Sequence, residues 1–168
     1  MPIILFSHGK ESGPQGDKIL AMSDVGTHLG FECHSIDYRG LDDPEARVAK
    51  LKKLVENLTE PPILVGSSMG GYVSTAVASE LPVKSLFVLA PAFGMPGYPA
   101  LSIPPCAVEI VHGWRDEVVP VQHSIHFAEA MSATLHLVNS DHRLTDQINY
   151  ICALFGVFLE GYREGHKA

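Results

Sequence analysis

Short apolar runs alternate along this chain with longer stretches in which apolar residues recur every three or four positions. The runs at residues 3–7, 31–37, 63–66, 86–90, 108–111 and 134–138 are too short for helices and are bounded by Gly, Pro or polar residues, so they read as strands. Most are apolar throughout rather than alternating, which is the pattern of strands covered on both faces. Helical spacing predicts helices over residues 17–29, 44–58, 69–81, 120–131 and 145–162. In the first, Ile19, Leu20, Met22, Val25 and Leu29 share a face, and Gly30 stands where a helix ends. In the second, the apolar face is Val48, Leu51, Leu54, Val55 and Leu58. The tail from Arg163 to Ala168 is polar and expected to fray.

Strand followed by helix, repeated to the end, predicts a three-layer α/β/α sandwich around a mostly parallel sheet of six strands. No repeat, low-complexity segment or linker interrupts it, so residues 1–168 are expected to form one domain. A chain of this length buries roughly 70% of its unfolded surface, enough for a core without disulfide or metal. In such sheets ligands bind beyond the carboxyl ends of the strands. Polar residues placed just after strands are therefore the ones to question.

Composition narrows the functional classes. The net charge of −7 disfavours a nucleic-acid backbone as partner. Cys33, Cys106 and Cys152 have no close pair and no zinc spacing, which reads as reduced thiols. The apolar run at the N-terminus is too short for a signal peptide or a spanning helix and carries no basic leader, so the cytoplasm is the expected compartment, without membrane insertion.

The candidate chemistry centres on Gly66-Ser67-Ser68-Met69-Gly70-Gly71, which leaves a strand and opens a helix. This is G-x-S-x-G in the strand–turn–helix setting that lifts a serine hydroxyl above the sheet edge. Gly66 and Gly70 remove side chains that would collide across so tight a turn. A phosphate loop is the competing reading, but no G-K-[ST] follows. Ser67 is a weaker nucleophile candidate, because the residue two places on would then be Met69 rather than glycine.

A serine nucleophile needs a histidine base, and that base needs a carboxylate. Nine histidines are present; six lie inside predicted elements or the tail. His112 ends a strand and suits a supporting role. His142 lies in a loop after a strand, downstream of the serine, and is the candidate base. Asp116 lies in the loop after the fifth strand; Glu117, Asp141 and Asp37 are the rival carboxylates.

With these loops in place the sequence resembles the α/β-hydrolase superfamily over nearly its whole length. The resemblance is carried by Ser7-His8-Gly9, by Asp37 to Gly40, by Gly66 to Gly71, by His112 to Pro120 and by Asp141-His142. It is nearest to the small, lidless esterases and thioesterase-like hydrolases, in a minimal fold that starts at the strand usually third in the sheet. The resemblance implies a triad of Ser68, Asp116 and His142, with an oxyanion hole made by the backbone amides of Met69 and Lys10. Where larger relatives insert a lid, only a short loop joins Ala90 to Val108, so the site should be open. Phe93, Met95, Tyr98 and Leu144 are the candidate lining of an apolar acyl pocket.

The expected activity is cleavage of a small-molecule carboxylic ester or thioester, with no metal and no organic cofactor. The alternatives are a non-catalytic binding module on the same fold and a peptidase or perhydrolase using the same triad. Oligomeric state is not legible in the sequence.

Overall fold

The computed structural model describes residues 1–164. Its strands are β1 (Ile3–Ser7), β2 (Glu32–Ile36), β3 (Ile63–Ser67), β4 (Ser85–Leu89), β5 (Ala107–Gly113) and β6 (Thr134–Val138). The helices are α1 (Asp17–His28), α2 (Pro44–Glu56), α3 (Met69–Ala78), α4 (Val121–Met131) and α5 (Ile148–Glu164). All five strand pairings are parallel, in the order β2-β1-β3-β4-β5-β6.

Two cores lie on opposite faces of this sheet. Leu64, Leu86, Val88 and Ile110 point to the face covered by α2, α3 and α4. Their neighbours Ile63, Val65, Phe87, Leu89 and Val111 point to the face covered by α1 and α5. Burial on both faces is why these strands carry apolar runs instead of an alternation. Edge strand β2 exposes Glu32, His34 and Ser35, a polar border of the kind that discourages edge-to-edge pairing.

The strand order places the functional crevice. From β1 the chain steps outward to β2, then returns to the other side of β1 to form β3. The connections leaving β1 and β3 therefore depart to opposite faces, and a crevice opens between their carboxyl ends. Gly9 follows β1 and Ser68 follows β3, so the two loops singled out in the sequence meet at this switch point.

Several details depart from the sequence reading. The buried stripe of α2 is Pro44, Arg47, Leu51 and Val55, which leaves Leu54 exposed. In α1, Ile19, Met22 and Gly26 face the core and Leu20 faces solvent. The final helix begins only at Ile148, after a 3-10 turn over Thr145–Gln147, and it runs through Arg163 to Glu164 instead of fraying at Arg163. The rest of the predicted tail, residues 165–168, lies outside the described residues.

Candidate active site

Ser68 joins β3 to α3 with φ 54° and ψ −118°. A non-glycine residue there carries strain of about 1–3 kcal/mol and persists only where its surroundings over-determine it. They do so here. The Ser68 amide donates to Leu89 O at 2.9 Å, while its carbonyl accepts from Gly71 N, Ala92 N and Tyr72 N at 3.0, 3.0 and 3.2 Å. The turn closes because both flanking glycines lack Cβ. One on Gly66 would stand 2.1 Å from Gly70 O, and one on Gly70 would stand 1.9 Å from Ser7 O. The strained turn aims the serine hydroxyl out of the backbone and into the crevice.

Ser68 Oγ lies 3.0 Å from His142 Nε2, and His142 Nδ1 lies 2.7 Å from Asp116 Oδ2. A carboxylate accepts, so Nδ1–H donates to Asp116 and Nε2 is left to accept from the serine. The loops that carry Asp116 and His142 are tied together, with Trp114 N donating to Val138 O and Arg115 N to Ser140 O. Lys18 Nζ donates to Arg143 O at 2.6 Å and fastens the His142 loop to α1.

The Asp116 carboxylate is fully buried, yet its lone pairs are well occupied. Oδ1 accepts the amides of Val118 and Val119, each at 2.8 Å. Oδ2 accepts His142 and also lies 3.0 Å from His112 Nε2. Burial pushes the pKa of this carboxyl up, but the hydrogen bonds from His112, His142, Val119 and Val118 outweigh it and hold the group well below the usual carboxylate range. His112 is buried, with Nε2 also 2.9 Å from Val119 O and Nδ1 2.6 Å from Ser124 Oγ. Facing two acceptors, Nε2 carries the proton, and Nδ1 accepts from Ser124. This is the supporting position the sequence suggested.

The rival carboxylates stand elsewhere. Asp141 Oδ1 caps the amides of Arg143 and Leu144, Glu117 is exposed, and Asp37 pairs with Arg39. Met69 opens α3, so the helix itself offers its amide no partner. Gly9 comes within van der Waals range of Ser68: a Cβ built on it would be 3.4 Å from Ser68 Cβ. Lys10, next in the chain, exposes its side chain at the rim.

Two of the four expected pocket residues are corrected. Phe93 is fully buried against Phe127, their ring centroids 4.6 Å apart, and offers no surface to a substrate. Leu144 is equally buried, on the α1/α5 side, and anchors the base loop into that core with φ 59°. Met95 and Tyr98 do come together, in a cavity of about 470 Å³ between the β4–β5 connection and α4; its lining does not include Ser68, Asp116 or His142. Tyr72, one helical turn beyond Ser68, lies on its wall with Leu101 and Ile103.

The sequence reading passed over Arg47, a fully buried guanidinium beside the β1–α1 loop. Its spacing to Leu51 and Val55 is the signal that could have placed it on the buried face.

Residues 3–97 match the family described as Uncharacterised protein family (UPF0227). A Xanthomonas campestris structure assigned to the α/β hydrolase superfamily is 31% identical, with TM-score 0.91, covering 96% of this chain and 99% of the other. The mitochondrial palmitoyl-protein thioesterase ABHD10 of Bos taurus is 26% identical over 209 residues, covering 87% of this chain and 68% of the relative. The mouse structure of alpha/beta hydrolase domain-containing protein 10 has TM-score 0.77 at 21% identity, covering 96% of this chain and 91% of the other. No helix among the described residues is long and apolar enough to cross a membrane. Similarity across nearly the whole chain, together with this strand order and serine turn, makes the protein a small member of the α/β-hydrolase superfamily that belongs to the uncharacterised family UPF0227.

Proposed function

We propose that this protein is a serine hydrolase that cleaves a carboxylic ester or thioester through an acyl-enzyme. One observation carries the reading. The strained Ser68 hydroxyl stands 3.0 Å from a histidine nitrogen whose ring partner is a buried, ionised carboxylate 2.7 Å away. Strain at Ser68 costs stability, and the chemistry below gives it a use.

Ser68 Oγ attacks the carbonyl carbon while its proton passes to His142 Nε2. Asp116 stabilises the imidazolium through Nδ1–H. The carbonyl oxygen, now negative, is held by the amides of Met69 and Lys10, each such donor being worth on the order of a hundredfold in rate. Collapse breaks the bond to the alcohol or thiol, which leaves with the proton from His142. Water then attacks the acyl-Ser68, giving its proton to His142. A second collapse returns that proton to Ser68 Oγ and frees the acid. The His142 side chain is one-fifth exposed, so water reaches it without any opening motion.

Met95, Tyr98 and the cavity wall beyond Tyr72 are the proposed resting place of the acyl chain, and the substrates are small molecules carrying such a chain. The name of the bovine relative makes long-chain thioesters the first thiol series to test. The decisive experiment is labelling with a fluorophosphonate, mapped by mass spectrometry, beside turnover of p-nitrophenyl esters and acyl thioesters of rising length. A Ser68 adduct and turnover that disappears in a folded Ser68→Ala variant are expected. Full turnover by Ser68→Ala would overturn the assignment. A folded wild type with neither adduct nor turnover would point to a binding module instead.

A further inference from the structure

Arg47 is 1% exposed, and the hydrogen bonds it makes all run to backbone carbonyls. Its Nε donates to Leu41 O at 2.7 Å and its Nη1 to His8 O at 2.7 Å, while Nη2 lies 3.5 Å from Gly9 O. The guanidinium carbon also sits 5.1 Å from the centre of the Tyr38 ring. Among the described residues no carboxylate lies within salt-bridge distance of it. A buried cation that pairs with no carboxylate is costly to keep. Hydrophobic packing gives no reason to keep a guanidinium at this position of α2.

What it touches supplies a reason. His8 and Gly9 form the loop between β1 and α1, which is gripped from both sides. On one side it abuts the first turn of α3, where Gly70 leaves no room for a Cβ beside Ser7 O and His8 O. On the other side is Arg47. The Gly9 carbonyl accepts from His8 Nδ1 at 2.7 Å, with Ser12 N at 3.4 Å and Arg47 Nη2 at 3.5 Å beside it, and the His8 ring is fixed in turn by Tyr38 N, which donates to Nε2 at 2.8 Å. Burial lowers the His8 pKa, consistent with a neutral ring that donates from Nδ1 and accepts at Nε2. The peptide unit joining Gly9 to Lys10 is planar and trans, so its N–H points opposite to its C=O. Fixing Gly9 O therefore fixes the direction of the Lys10 N–H.

We propose that Arg47 is a positioning residue for the oxyanion hole: by tying the His8 carbonyl to that of Leu41, with Gly9 O beside its second nitrogen, it holds the loop that aims the Lys10 amide at the carbonyl oxygen of the substrate. This rests on the hydrolase reading above. Its guanidinium charge also polarises the same peptide unit and makes the Lys10 N–H a stronger donor. Arg47 touches no reacting atom. It acts through the loop, and a lysine, which lacks the planar fork, would hold only one of the Leu41 and His8 carbonyls.

The test compares wild type, Arg47→Met and Arg47→Lys in ester hydrolysis, with rates expressed per Ser68 titrated by the phosphonate. For Arg47→Met, kcat is expected to fall roughly 10- to 100-fold, short of the full loss of a donor, with KM within about threefold and the pH midpoint of kcat/KM unmoved. Arg47→Lys is expected to recover part of that loss. A fall in Tm with kcat per titrated site at the wild-type level would show a purely structural residue and overturn the proposal. A shifted pH midpoint would also overturn it, because the effect would then run through His142. If Arg47→Met does not fold, Arg47→Lys decides, and wild-type kcat in that variant overturns the proposal. A folded wild type without turnover or adduct overturns the hydrolase reading first, and this inference with it.

Discussion

Replacing Gly70 by alanine tests whether close approach of two backbones holds the site together. The new Cβ would stand 1.9 Å from Ser7 O, 2.4 Å from Ser7 C and 2.7 Å from His8 O. Real Cβ atoms stay beyond 3.0 Å, so α3 and the end of β1 must part by about 1 Å. No flexible side chain is available to yield, and β1 is paired on both edges. Alanine brings its own helix preference, about 1 kcal/mol in its favour. Overpacking costs about 1–3 kcal/mol, and the upper end applies where backbone must move. The net loss is about 2 kcal/mol, or about 4–8 °C in Tm for a chain of this size. Activity should suffer more. The displacement separates Ser68 from the β1–α1 loop, and an error of 1 Å in a reacting group costs about a hundredfold. Thermal melting and kcat/KM for an ester substrate read the two effects. Gly161→Ala is the control: nothing lies within 4 Å of its Cβ, so up to about 1 kcal/mol of stabilisation and unchanged turnover are expected. A Gly70→Ala protein with wild-type Tm and kcat/KM would refute the reasoning.

Three further outcomes are expected. The folded pKa of Asp116 lies below its unfolded value near 4, so its charged form contributes stability that is complete above that value and is lost as pH falls through the folded one. Chemical denaturation between pH 5 and 2 should therefore show a steeper loss for wild type than for Asp116→Asn, and equal slopes would contradict the assignment; the same substitution should lower kcat by about 10⁴-fold, since it releases the His142 tautomer. Met95→Trp narrows the cavity beside Tyr98 and should abolish the preference for longer acyl chains while leaving acetate esters untouched, whereas an unchanged chain-length profile would place the acyl chain elsewhere.

The order of strands and helices was legible because burial on both sheet faces leaves continuous apolar runs. Ser68, Asp116 and His142 stood out because each follows a strand, and parallel strands deliver their following loops to one edge. The failures share a cause. Phe93 and Leu144 are apolar residues in loops, and sequence does not distinguish a residue that lines a pocket from one that plugs into a core. Their burial is decided by Phe127 in one case and by the α1/α5 core in the other. Arg47 was passed over because a charged residue in an amphipathic helix is ordinarily solvated. Only the tertiary fold brings the carbonyls of His8, Gly9 and Leu41 to it. The α2 stripe keeps the expected direction through Leu51 and Val55, but Arg47 extends it toward the helix N-terminus while Leu54 is exposed.

The conformation of Ser68 also bears on how such a protein can drift. Strain stored at φ 54° is released by glycine, which enters that region freely, so the most direct route to a sturdier chain deletes the proposed nucleophile itself. Selection for folding alone would push this position away from serine. A Ser68→Gly chain is therefore expected to melt higher while losing the hydroxyl that the proposed chemistry needs, so that at this residue the two demands would pull apart.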